Sequence, residues 1–122
     1  MIAYVTLGTN DLARASDYYD ELLGILGATR VMGDDHFIAW TNADGNPLLT
    51  LIEPHDGNPQ TVGNGVMVAL SAKTREEVDL LYAKGIELGG KDEGPAGQRS
   101  DGFYAGYFRD LDDNKLAVVA FV

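Results

Sequence analysis

Residues Met1 to Thr9 carry Ile2, Tyr4, Val5, Thr6 and Leu7, β-forming side chains in weak alternation, and predict a strand. Asn10 and Asp11 then offer helix caps, and Ala15, Tyr18, Tyr19, Leu22 and Leu23 recur at the 3.6 spacing of a buried helix face. The helix runs over about Leu12 to Leu23 and ends at Gly24 and Gly27. Three short β-type runs follow at Ala28–Met32, His36–Thr41 and Leu48–Glu53, separated by turns at Asp34-Asp35 and Asn42–Asn46. Pro54 to Gly65 shows no apolar period and reads as a connector. The pattern then restarts. Val66–Leu70 predicts a strand, and Thr74-Arg75-Glu76-Glu77 a capping box that opens a second helix lined by Val78, Leu81, Tyr82 and Ile86. Gly89-Gly90 stops this helix. Lys91 to Gly102 is polar and glycine-rich, with room for one short strand or a mobile loop. Phe103–Arg109 and Leu116–Val122 form a closing hairpin.

The two halves repeat. Shifted by 63 positions, Tyr4-Val5-Thr6-Leu7 lies over Met67-Val68-Ala69-Leu70, and Tyr19 over Tyr82. Shifted by 68, Asn46-Pro47-Leu48-Leu49 lies over Asn114-Lys115-Leu116-Ala117. The chain therefore reads as α+β, two βαβββ modules in a single domain: residues 1–54, a connector over 55–65, and 66–122. A repeat this short does not bury its sheet alone, so the expectation is two mixed sheets facing each other around a cleft, a natural small-molecule site.

Composition narrows the class. The 122 residues include 9 Lys+Arg against 19 Asp+Glu, a net charge of −10, and no cysteine. The charge opposes nucleic-acid binding, and the missing thiols exclude disulfides, thiolate metal sites and a cysteine nucleophile. No apolar run approaches a membrane span, and the first residues lack a basic leader region. A cytoplasmic protein with a small-molecule or protein partner is expected.

"TLGTNDLARASDYYDELLG" after the first strand and "YFRDLDDNKLAVV" near the end, within paired βαβββ modules, resemble the vicinal oxygen chelate superfamily. That group includes glyoxalase I, bleomycin-resistance proteins, fosfomycin-modifying enzymes and extradiol dioxygenases. The resemblance covers essentially the whole chain. Its final turn normally reads D-P-D-G-N and is Asp110-Leu111-Asp112-Asp113-Asn114 here. It implies a homodimer. It also implies metal ligands, His or Gln on the first strand and Glu or His on the last strand of each module. Those positions map to Tyr4 and Met67, and to Leu49 and Ala117, three residues after Asn46 and Asn114. A phenol, a thioether and two hydrocarbons do not replace imidazole and carboxylate on a divalent ion. A shift by one residue offers Val5, Val68, Thr50 or Val118, no better. No metal and no other cofactor is expected.

Other chemistry is sparse. His36 and His55 lack metal-ligand spacing, the serines lack a nucleophile-elbow context, and Asp110-x-Asp112-x-Asn114 reads as a capped turn rather than a calcium loop. If Tyr4 and Met67 face the cleft, strand alternation adds Thr6, Ala69 and Ser71, with Leu49, Leu51 and Glu53 on one last strand and Ala117, Val119 and Phe121 on the other. Glu53 would serve as a general base or anchor a cation, or else simply end its strand in solvent. Trp40, Tyr104, Tyr107 and Phe108 are core residues or ligand platforms, depending on register. Arg99, in the Gly94–Arg99 loop beside Tyr104, would clamp a carboxylate or phosphate, or pair with Asp101.

The expected ligand-binding set is thus Tyr4, Thr6, Trp40, Leu49, Glu53, Met67, Arg99, Tyr104 and Ala117. The leading reading is a metal-independent small-molecule-binding protein for an aromatic or cationic ligand. The alternatives are a glyoxalase-type lyase, isomerase or dioxygenase, either metal-free with Glu53 or Tyr4 as base or using an unrecognised metal site, and an interaction module with a filled cleft.

Overall fold

The computed structural model describes all 122 residues. Element order is β1 (Tyr4–Gly8), α1 (Leu12–Gly24), β2 (Thr29–Gly33), β3 (Phe37–Thr41), β4 (Leu48–Ile52), β5 (Val68–Ser71), α2 (Arg75–Glu87), β6 (Lys91–Ser100), β7 (Phe103–Arg109) and β8 (Lys115–Ala120). The chain divides into two compact units, Met1–Val62 and Gly63–Val122, and the boundary falls inside the connector. Each unit is one βαβββ module with a four-stranded mixed sheet, ordered β1-β4-β3-β2 in the first and β5-β8-β7-β6 in the second. In both, the first strand pairs in parallel with the last, and the remaining pairs are antiparallel. No helix is long and apolar enough to cross a membrane.

In the first unit α1 begins at Asp11, whose side chain accepts from the Arg14 N–H, worth about 1 kcal/mol for such a cap. Its buried face is Leu12, Ala15, Ser16, Tyr18, Tyr19, Leu22 and Leu23, and Tyr19 meets Trp40 of β3 at 6.1 Å. Trp40 also donates its indole N–H to Asp20 Oδ1 at 2.9 Å, while Asp20 accepts from Nε and Nη2 of Arg30 on β2 at 2.9 and 2.7 Å. One helical carboxylate thereby holds two strands. Arg30 holds the Asp20 carboxyl below its ordinary pKa, against a smaller opposing effect of burial.

In the second unit Thr74 caps α2 by accepting from Glu77 N–H, as the capping box requires. The return bond goes one residue further out than the motif prescribes, with Glu77 Oε2 accepting from Lys73 N–H at 2.7 Å. Val78 and Leu81 are fully buried, and Phe108 of β7 seats directly against Gly85. Tyr82 packs edge-on against Phe108 and donates to Asp92 at 2.6 Å; burial and that carboxylate push its phenol up to about 12.

Lys91–Ser100 is the main departure from the pattern reading. It forms a ten-residue strand, neither a short strand nor a loop, and pairs with β7 through three register shifts. Gly94, at φ +149°, occupies backbone space that L side chains rarely adopt. Bulges tolerate the prolines and glycines that an even ladder would reject.

Gly85→Ala would put a methyl carbon 2.5 Å from the Phe108 ring, so the variant is expected to lose about 1–3 kcal/mol of stability in urea denaturation. Asp20→Asn should cost up to about 1 kcal/mol at neutral pH, discounted because its side chain is 41% exposed. Because the folded-state pKa is depressed, this contribution exists above the unfolded-state pKa and disappears as pH falls through the folded one. Wild type and variant should converge in acid, which denaturation curves at descending pH would show.

Candidate functional site

Each sheet has one face packed on its helix and one helix-free face, and the register assigns every strand residue to one or the other. In the first unit Trp40 marks the helix face through its bond to Asp20, and it pairs with Leu49, which pairs with Val5. Leu49 and Leu51 therefore lie on the helix face, where both are buried. Tyr4 and Thr6 pair with Leu48 and Thr50 and share the helix-free face with them, Tyr4 being largely exposed. This corrects the expectation that Leu49, Leu51, Glu53 and Trp40 share a face with Tyr4 and Thr6.

The reason is one residue of turn. Trp40 to Leu49 spans nine positions, whereas the matching pair Phe108 to Leu116 spans eight. Leu49 thus matches Leu116 at an offset of 67, not 68, and Thr50 matches Ala117. Pro47 lacks an N–H and cannot open the ladder as Lys115 does; the strand starts at Leu48, which donates to Ala3 O at 3.0 Å.

In the second unit Phe108 and Leu116 mark the helix face, so Ala69, Ser71, Ala105, Tyr107, Ala117 and Val119 occupy the helix-free face, as alternation predicts for Ala117. Met67, just before β5, continues that parity and is exposed. Ala105, Ala117 and Val119 form a buried cluster with Phe103 and Tyr107 packed against it. Tyr104 belongs to the other face: it donates to Asp79 of α2 at 2.6 Å and carries Arg75 over its ring at 5.4 Å. The Asp79 bond, with burial, raises its pKa. Arg99 follows Gln98, the strand partner of Tyr104, but its side chain reaches back over Tyr107, at 5.3 Å from the ring centre, with its guanidinium donating to Pro95 O. It makes no ion pair with Asp101. Lys115 reaches the same ring at 5.9 Å. Tyr107 was expected as a core residue or ligand platform, and the structure puts it on the helix-free face; Lys115 was not singled out, although alternation from Ala117 places it on the same face.

Glu53 sits past the end of β4, where its N–H donates to His36 O and its carboxylate lies 3.8 Å from His36 Nδ1. It borders two surface clefts of the first unit, of about 560 and 370 Å³. The larger also carries Asp11, Asp17, Asp34, Asp35 and Arg30. Its acids are partly committed, since Asp11 caps α1 and Asp34 accepts from the His36 and Phe37 N–H groups. Glu53 and Tyr4 lie on opposite sides of the sheet and do not form a shared acid–base pair.

The model of the Glyoxalase/Bleomycin resistance protein/Dioxygenase superfamily matches residues 1–118. The chain belongs to that superfamily. A glyoxalase/bleomycin resistance protein from Albidiferax ferrireducens is 34% identical, with a TM-score of 0.89 over 98% of this chain and 97% of its own. A hypothetical protein from S. aureus is 26% identical, with a TM-score of 0.71 over 98% and 96%. A lactoylglutathione lyase from Agrobacterium tumefaciens, 20% identical with a TM-score of 0.69 over 98% and 92%, shares the fold. No functionally curated protein matches the sequence.

If Tyr4, Met67 and Ala117 hold the metal positions that the resemblance implies, register puts the fourth at Thr50 rather than Leu49. A phenol, a hydroxyl, a thioether and a methyl group do not fit a divalent ion that takes imidazole and carboxylate. Ala117 is in addition fully buried among neighbouring side chains. Nowhere do three His, Cys, Asp or Glu side chains converge in a metal-holding arrangement.

Glu53→Gln should leave stability within about 0.5 kcal/mol of wild type in urea denaturation, because its one ion pair is long and exposed. A larger loss would mean that Glu53 supports the fold.

Proposed function

We infer that this superfamily member binds a small molecule without a metal, on the helix-free faces of its sheets. The observation that carries this reading is the donor set at Tyr4, Thr50, Met67 and Ala117, which offers no imidazole and no carboxylate. Metal-dependent isomerisation or oxygen chemistry calls for a Lewis acid held by imidazole and carboxylate, and these four side chains supply neither. What they leave, on each unit's own helix-free face, is apolar area mixed with hydroxyl groups, from Tyr4 and Thr6 in the first and from Met67 and Tyr107 in the second, the composition of a binding surface. Fold membership does not decide between binding and turnover, since one architecture hosts many chemistries.

Elemental analysis of tag-free protein, followed by calorimetric titration with nickel, zinc, manganese and iron(II), tests the reading. The expected result is substoichiometric metal and no saturable heat, with ligand hits from a thermal-shift screen unchanged by a chelator. A stoichiometric metal held at micromolar affinity or tighter would overturn it.

A further inference from the structure

We propose that the helix-free face of the second unit holds a small organic carboxylate, its negative end taken by Arg99 and Lys115 and its apolar body lying along Tyr107. The inference rests on the small-molecule reading above and names the ligand class.

Two of the chain's nine Lys and Arg side chains converge on one ring, at 5.3 and 5.9 Å from its centre. In a chain with 19 carboxylates, neither forms an ion pair, although Arg30, Lys84, Lys91 and Arg109 all do. Glu93, whose charge Lys115 feels, is already held by Arg109 at 2.8 Å. Arg99 donates to the Pro95 carbonyl, so most of its five N–H groups remain available. Attraction to the ring face satisfies charge but uses no N–H donor. The pair thus keeps both positive charge and directed donors, which a carboxylate complements.

The backbone makes room for this arrangement. At Gly94 a Cβ would lie 3.3 Å from the Tyr107 ring and 3.4 Å from Arg99 Nη2, and the glycine's φ of +149° excludes most side chains. β6 shifts register on both sides of Gly94, and the second shift carries Pro95 and Ala96. That irregularity brings Arg99 back over a ring that lies well up the paired strand. Tyr107 is itself half-buried against the Ala105, Ala117 and Val119 cluster, so the ring is fixed rather than free to follow its cations.

Titration of the metal-free protein with benzoate, followed by NMR of backbone amides, tyrosine rings and arginine side chains, tests the proposal. Saturable shifts are expected at Arg99, Tyr107 and Lys115, with Arg99→Gln and Lys115→Gln each weakening binding at least ten-fold and neutral benzamide producing none. Unchanged amide spectra elsewhere would establish that both variants are folded. The proposal is overturned if benzoate gives no saturable shift, if shifts centre elsewhere, if benzamide matches benzoate, or if both variants bind as wild type. A screening compound that binds wild type and both variants equally would refute this site while leaving small-molecule binding itself standing.

Discussion

The parallel pairing of the first and last strands of each module governs the rest of the molecule. β1 and β5 leave the sheet, pass through a helix and two further strands, and meet their partners β4 and β8 only at the module's end. Everything between must therefore fit a closed circuit. The turn before the last strand sets which residue meets which, and a one-residue slip there exchanges the two faces of that strand. In the first unit this circuit turns Leu49 and Leu51 to the helix and Thr50 away from it.

Aspartates fasten the helices and strands into that circuit. Asp20 takes the Trp40 indole and Arg30, Asp79 takes the Tyr104 phenol, and Asp92 takes the Tyr82 phenol. Aromatic side chains with a polar tip need such a partner when they are packed into a core. Asp11 caps a helix, Asp34 organises one turn, and buried Asp110 organises another by accepting from the Asp112 and Asn114 N–H groups at 2.8 and 2.9 Å. Much of the strong negative charge is therefore structural. The two cations gathered on Tyr107 stand out against it.

Membership of the glyoxalase/bleomycin-resistance superfamily and the side chains at its metal positions pull in different directions. The architecture is kept closely, as the match to the Albidiferax ferrireducens protein shows. The side chains at the positions the resemblance implies offer no imidazole and no carboxylate, and Ala117 is part of a buried cluster. One architecture hosts many chemistries.

The order of elements, both helical faces and both N-caps were legible in the sequence, because they depend on local periodicity and on residues a few positions apart. Asp11, Thr74 and the Tyr18-Tyr19-Leu22-Leu23 stripe do in the structure what their spacing implies. Counting from Asn114 put Ala117 on the helix-free face, where the structure has it, because Lys115 starts its strand at once. The same count from Asn46 failed at Pro47, where a missing N–H delays pairing by one residue and moves the equivalent position to Thr50. Bulges put the course of β6 and the reach of Arg99 beyond local reading as well. Local pattern fixes what an element is and which way its own side chains alternate; which residue meets which across strands far apart in the chain is decided by ladder closure, to which every turn contributes.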